Sequence, residues 1–215
     1  MTAPDQPPHL DNGRVAELLV AEAAGHGAGD LAAAGRAAGQ VARLDPRLAD
    51  PVVRASVHEG LGDRLLGEPD ADADAGRRAF AGGFLTCALW LYEQAGSQGQ
   101  AGCHWSLGRL ARRRNDLAGA RTHYTAAAER YEQLGRDVQA AGCQQDLGNV
   151  DQAVGDYPAA RDRYTRALAV FVRLGLEVQA AGCQLNLGIV DQAVGDYPAA
   201  RDRLEQALAD RKSVG

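Results

Sequence analysis

Trp105, Arg109, Arg112 and Arg113 stand three and four residues apart. That spacing puts side chains on one face of a helix. Arginine forks pair carboxylates bidentately, and Trp and Arg are frequent anchors of protein interfaces. The chemistry this set offers is capture of a carboxylate or an acidic peptide. Forty residues on, the same register holds Gln145, Asn149 and Gln152, and forty further on Leu185, Ile189 and Gln192. Amides there can hydrogen-bond an extended peptide backbone, and Leu185 and Ile189 can take an apolar side chain. Plainer readings stand beside these. Arg109–Arg114 is also what a solvated run looks like, and Trp105 can pack on the preceding element. Leu185 and Ile189 can be buried by a partner or a second copy.

No catalytic set is legible. The histidines stand at 9, 26, 58, 104 and 123, scattered along the chain. No HExxH, GxSxG or Walker loop occurs, and no GxGxxG follows a strand. The reading is therefore a non-enzymatic protein with no cofactor and no metal. The acidic run Asp70, Asp72, Asp74 resembles a calcium loop only in part. Such a loop needs Gly after its third acid and Glu at its twelfth position. Here Ala75 and Ala81 fill those places, so the run is expected to be a solvated turn. Cys103, Cys143 and Cys183 are 40 residues apart. Equivalent points on neighbouring helical hairpins lie about 10 Å apart, beyond the ~7 Å limit for a disulfide. These thiols and Cys87 are expected to be buried apolar residues.

The elements that must position these residues are helices. Hydrophobic residues make up 46% of the 215, aromatics only 5%, and the apolar content is mostly Ala, Leu and Val. Ala and Leu favour closely packed helices. The net charge of −5 does not suggest a nucleic-acid binder. Among the 23 basic residues only Lys212 is lysine, as high-GC coding would give. The start, MTAPDQPPHLDNG, is polar and Pro-rich and lacks the basic and apolar parts of a signal peptide. The most apolar stretch, Ala79–Tyr92, is too short to span a bilayer. A cytoplasmic protein is expected, with no membrane and no nucleic-acid partner.

The thirteen residues DQAVGDYPAARDR occur at Asp151–Arg163 and again at Asp191–Arg203. A shift of 40 also lays AGCHWSLGRL over AGCQQDLGNV and AGCQLNLGIV. Three helical hairpins follow. Cys143, Leu147, Val150 and Val154 form one apolar stripe, and Ala160, Tyr164, Ala167 and Phe171 the opposing one. Gly155 is placed to stop the first helix, Asp156 to cap the second, and Pro158 in its first turn. Gly148, with Gly108 and Gly188 at the same register, points to a close helix approach.

Leu-Gly in the first helix, Gly-Asp-Tyr at the turn, and Ala, Tyr and Ala along the second helix resemble the tetratricopeptide repeat (TPR). The 40-residue period is similar to the longer variant of kinesin light chains, and to TPR arrays of actinobacterial regulators and of proteins with caspase-like domains. The usual unit has 34 residues. The resemblance implies an all-α, right-handed α-solenoid of about five hairpins. It places residues 145, 149 and 152 and their equivalents on the concave groove. Residues 1–12 read as a disordered lead, 13–98 as divergent hairpins with a turn at 68–76, 99–212 as three 40-residue repeats, and 213–215 as a tail. The expected function is an adaptor or scaffold binding a protein or peptide in that groove. The alternatives are a regulator sensing a small molecule or signalling peptide and, less favoured, an enzyme in a helical shell. The final hairpin offers a surface for a homodimer.

Overall fold

The computed structural model describes residues 12–67 and 75–213, with side chains over 14–67 and 75–205. Asp70, Asp72 and Asp74, and most of the lead and tail, lie outside them. Among the described residues there are ten α-helices, one 3-10 turn at Pro46–Ala49, and no strand. The helices are α1 Asn12–Ala28, α2 Leu31–Leu44, α3 Pro51–Gly67, α4 Ala75–Gln94 and α5 Gln100–Arg113. Then come α6 Leu117–Gln133, α7 Asp137–Ala153, α8 Tyr157–Arg173, α9 Glu177–Ala193 and α10 Tyr197–Ser213. They are five successive hairpins of an α-solenoid, called here the first to fifth repeats.

The chain divides into two compact units, Met1–Ser106 and Leu107–Gly215. In the first, α1 packs on α2 and α4, and α3 packs on α4. One core cluster joins Leu18, Leu19, Val41 and Leu48. Another joins Ala23, Ala55, Phe84, Cys87, Ala88, Leu91, Tyr92 and Cys103. In the second unit each helix from α6 to α10 packs on the next. All four cysteines are buried and free, as small apolar residues would be.

The fourth repeat shows how sequence makes the hairpin. Cys143, Leu147 and Val150 of α7, and Ala160, Tyr164, Ala167 and Phe171 of α8, are buried on the facing stripes. Gly155 leaves α7 at φ +83°, and two hydrogen bonds close the end. Asp156 N–H donates to Asp151 C=O at 2.8 Å, and Gly155 N–H to Gln152 C=O at 3.0 Å. This pair satisfies carbonyls the helix leaves open. In the third repeat Asn115 takes that left-handed place at φ +58°, as the residue type that best tolerates it after glycine. The Asp156 side chain then accepts from Ala159 N–H at 3.1 Å and caps α8. Val154 does not extend the stripe. It caps the end of α7 and is 52% exposed, because the chain turns away there.

The close approach expected at Gly148 is present. A Cβ there would stand 2.6 Å from the Tyr164 ring. At Gly188 the neighbour is Leu204, at 3.1 Å from such a Cβ. Ala gains about 1 kcal/mol over Gly in a helix, while overpacking a filled site costs ~1–3 kcal/mol. Gly148→Ala is therefore expected to lower the urea unfolding midpoint, and Gly188→Ala to leave it within about 1 kcal/mol of wild type.

Candidate functional site

The candidate face runs along the first helices of the last three repeats. Trp105 belongs to the first compact unit and is 38% exposed. Arg109, Arg112 and Arg113 belong to the second, with Arg112 exposed and the other two half-buried. Gln145, Asn149 and Gln152 are half-buried, and Leu185, Ile189 and Gln192 are exposed.

The structure gives several of these residues work inside the fold. The Tyr164 hydroxyl lies 2.8 Å from Asn149 Oδ1 and 2.9 Å from Gln152 Oε1, and donates to that pair. Asn186 Nδ2 reaches the same Asn149 oxygen at 3.4 Å. Gln145 Nε2 lies against α9 beside Gly182. Asn149 and Gln152 thus orient the tyrosine below them as well as facing outward. In the fifth repeat the matching set is Ile189, Gln192 and Leu204: the buried hydroxyl has gone together with one of its two amide acceptors, and the glutamine is kept. In the third it is Arg109, Arg112 and Tyr124. Burial and the Asp146 carboxylate push the Tyr124 phenol up to about 12, against the opposing pull of Arg112 and Arg109.

The repeat pattern matches residues 100–173 and again 144–213, more than half of the chain. The chain belongs to the tetratricopeptide repeat family. No curated protein matches it, but solved structures do. BtubC (BKLC) from P. vanneervenii is 19% identical, with a TM-score of 0.60, over 97% of this chain and 93% of that one. The nearly identical TPR-like repeats of Podosopora anserina, assigned to a kinesin light chain, are 15% identical. They give 0.64 over 94% of this chain and 96% of theirs. A Rap protein complexed with competence and sporulation factor is 16% identical, at 0.59 over 92% of this chain. This chain spans only 50% of that Rap protein. At such identities the likeness is one of fold.

Two features escaped the sequence reading. The first is a pair of carboxylate clamps in the TPR repeats. Asp151, with no exposed side chain, meets Arg163 Nε at 2.6 Å and Arg121 Nη2 at 2.6 Å. Asp191 meets Arg203 Nε at 2.7 Å and Arg161 Nη2 at 2.5 Å. In each, one arginine comes from the same repeat and the other from the repeat before. The signal was on the page: the thirteen-residue copy starts on the aspartate and ends on its arginine. The third repeat has Ala111 and His123 at those places, so both partners are absent together.

The second is a buried polar cluster in the first unit. Glu22 Oε1 accepts from Arg54 Nε at 2.9 Å, and Glu22 Oε2 lies 3.1 Å from His58 Nε2. Arg54 also donates to Leu48 C=O. Cys87 is close enough that Glu22, His58 and Cys87 could bring one ligand atom each to within 4.8 Å of the others. Zinc takes such donors, but burial raises the Cys87 thiol far from ionisation, and Glu22 already has two partners. The cluster reads as a core network satisfied at Glu22, while His58 Nδ1 is buried without a hydrogen-bond partner. Nearby, an apolar cleft of about 350 Å³ is lined by Ala23, Ala24, Gly27, Ala28, Ala79, Phe80 and Gly83. It brings no polar side chain to any reaction.

Burial pushes the Glu22 carboxyl up, but His58 and Arg54 outweigh it and hold the group below its ordinary value. Its stabilisation is complete above the unfolded glutamate pKa, about 4.3, and is lost as pH falls through the lower folded value. Glu22→Gln leaves Arg54 buried without its anion. Urea unfolding at pH 7 is expected to show a loss of about 3–5 kcal/mol. The gap to wild type should narrow below about pH 4.

Proposed function

We propose that this chain is a non-enzymatic TPR interaction module whose second unit binds an acidic protein or peptide segment. It uses the open face of α5, α7 and α9. The observation that carries this reading is where the fourth and fifth repeats differ. Their turn and clamp residues are identical over thirteen positions, while Gln145 becomes Leu185 and Asn149 becomes Ile189. Scaffold is retained and outward side chains change, as on a binding surface built from repeats. The third repeat adds Arg109, Arg112 and Arg113, the groups suited to carboxylates. The fifth adds the exposed apolar pair Leu185 and Ile189.

A second reading is a regulator that responds to a signalling peptide or small molecule. It is favoured by the likeness to a Rap protein complexed with a competence and sporulation factor. The two readings part on the form of the ligand, an extended acidic segment or a compact effector.

Fluorescence polarisation of the full chain against labelled acidic and basic peptides tests the first reading. Acidic peptides should bind and weaken with added salt. Arg109→Ala/Arg112→Ala/Arg113→Ala should lose about tenfold or more in affinity. Equal binding by that variant, or a preference for basic peptides, would contradict the reading.

A further inference from the structure

Each carboxylate clamp has an outward half, carried by the second helix of the repeat before. Arg121 of α6 meets Asp151 of α7 at 2.6 Å, and Arg161 of α8 meets Asp191 of α9 at 2.5 Å. One turn before each arginine stands a large apolar or aromatic residue. Leu117 packs on a cluster that includes Leu147 and Val150, and Tyr157 on one that includes Leu187 and Val190. The receiving helices share one pattern, Leu-Gly-x-Val-Asp, at Leu147–Asp151 and Leu187–Asp191. The contact is therefore made twice with the same chemistry on both sides.

The last helix, α10, carries the outward half again. Tyr197 and Arg201 stand where α8 has Tyr157 and Arg161, inside the thirteen-residue copy. On α8 the tyrosine is half-buried and the arginine side chain 42% exposed. On α10 the tyrosine is 67% exposed and the arginine side chain 71%. Arg201 pairs there with Asp202 at 3.3 Å and Glu205 at 3.9 Å, both exposed groups of its own helix. Such pairs are worth little in water, so exchanging them for a buried carboxylate gives up little.

We infer that the outer face of α10 docks a helix of another protein bearing the spacing Leu-x-x-Val-Asp, as α8 docks α9. The leucine and valine pack on the Tyr197 ring. The aspartate sets the specificity. It leaves water on docking and needs a cation within reach, and Arg201 supplies it as Arg161 does for Asp191. This surface lies on a second helix, apart from the open face of α5, α7 and α9, and does not depend on peptide binding there.

The test titrates the full chain, under reductant, into a fluorescein-labelled peptide of the α9 sequence, Glu177–Ala193, and follows polarisation. The peptide should bind. Asp191→Asn in the peptide, or Arg201→Ala in the chain, should each weaken binding about tenfold or more. Combined, they should cost little more than either alone, because both remove one contact. Arg201→Ala should leave the urea midpoint of the chain unchanged, as its side chain is mostly exposed. No binding, or equal binding of the Asp191→Asn peptide, would overturn the docking surface. Binding lost in Arg109→Ala/Arg112→Ala/Arg113→Ala but kept in Arg201→Ala would place the peptide on the open face. That result would overturn the α10 surface and leave the acidic-peptide reading standing. Sedimentation velocity of the chain alone supplies the last arm. A concentration-dependent dimer abolished by Arg201→Ala would give this face to a second copy and overturn the partner helix.

Discussion

A carboxylate shut away from water is unfavourable unless paired, and Asp151 and Asp191 are each paired twice. The arrangement joins three helices at one point. In the second compact unit, Asp191 stands near the end of α9, Arg203 comes from α10 and Arg161 from α8. The backbone carbonyl of the same aspartate accepts from Asp196 N–H at 2.9 Å. One residue therefore holds the helix end, its own partner helix and the helix of the repeat before. The arginines are 34% and 42% exposed, so their charge stays partly hydrated and only the anion bears the full cost of burial. Gln184 takes a further donor of Arg203 at 3.3 Å, as Gln144 does for Arg163 at 3.0 Å.

With stacking fixed at the helix ends, the outward positions midway along each first helix are released from that duty. They vary, though not independently of what lies beneath. Asn149 and Gln152 stand above a tyrosine that needs acceptors. Ile189 stands on the same register as Leu204, which needs none. Arg109 and Arg112 accompany Tyr124, whose hydroxyl Arg112 reaches as a donor and whose phenol faces the Asp146 carboxylate.

Much of this was legible in the residues. The 40-residue period, the apolar stripes, the Gly-Asp turn and the aspartate cap led directly to helical hairpins, because each is a local rule of helix formation. The divergent first two hairpins were found from weaker echoes of the same turn. The clamps were not found, because pairing at separations of 12 and 30 residues follows from tertiary stacking and not from helical periodicity. Their trace was the joint loss of Asp and Arg in the third repeat, at Ala111 and His123. The Glu22–Arg54–His58 cluster was hidden for the same reason. Glu22 lies on α1, and Arg54 and His58 on α3. The outward role given to Asn149 and Gln152 was only half of their geometry, since a stripe count does not show a hydroxyl arriving from the next helix.

The most direct test of this account is the stability of an emptied clamp. Urea unfolding should be measured for Arg161→Ala/Arg203→Ala and for the same pair combined with Asp191→Ala. The double variant strands a buried anion and should lose about 3–5 kcal/mol. The triple variant carries at 191 the residue that the third repeat has at 111, and should recover most of that loss. A triple variant less stable than the double would contradict the account, since the aspartate would then be holding the fold by some means other than its arginines.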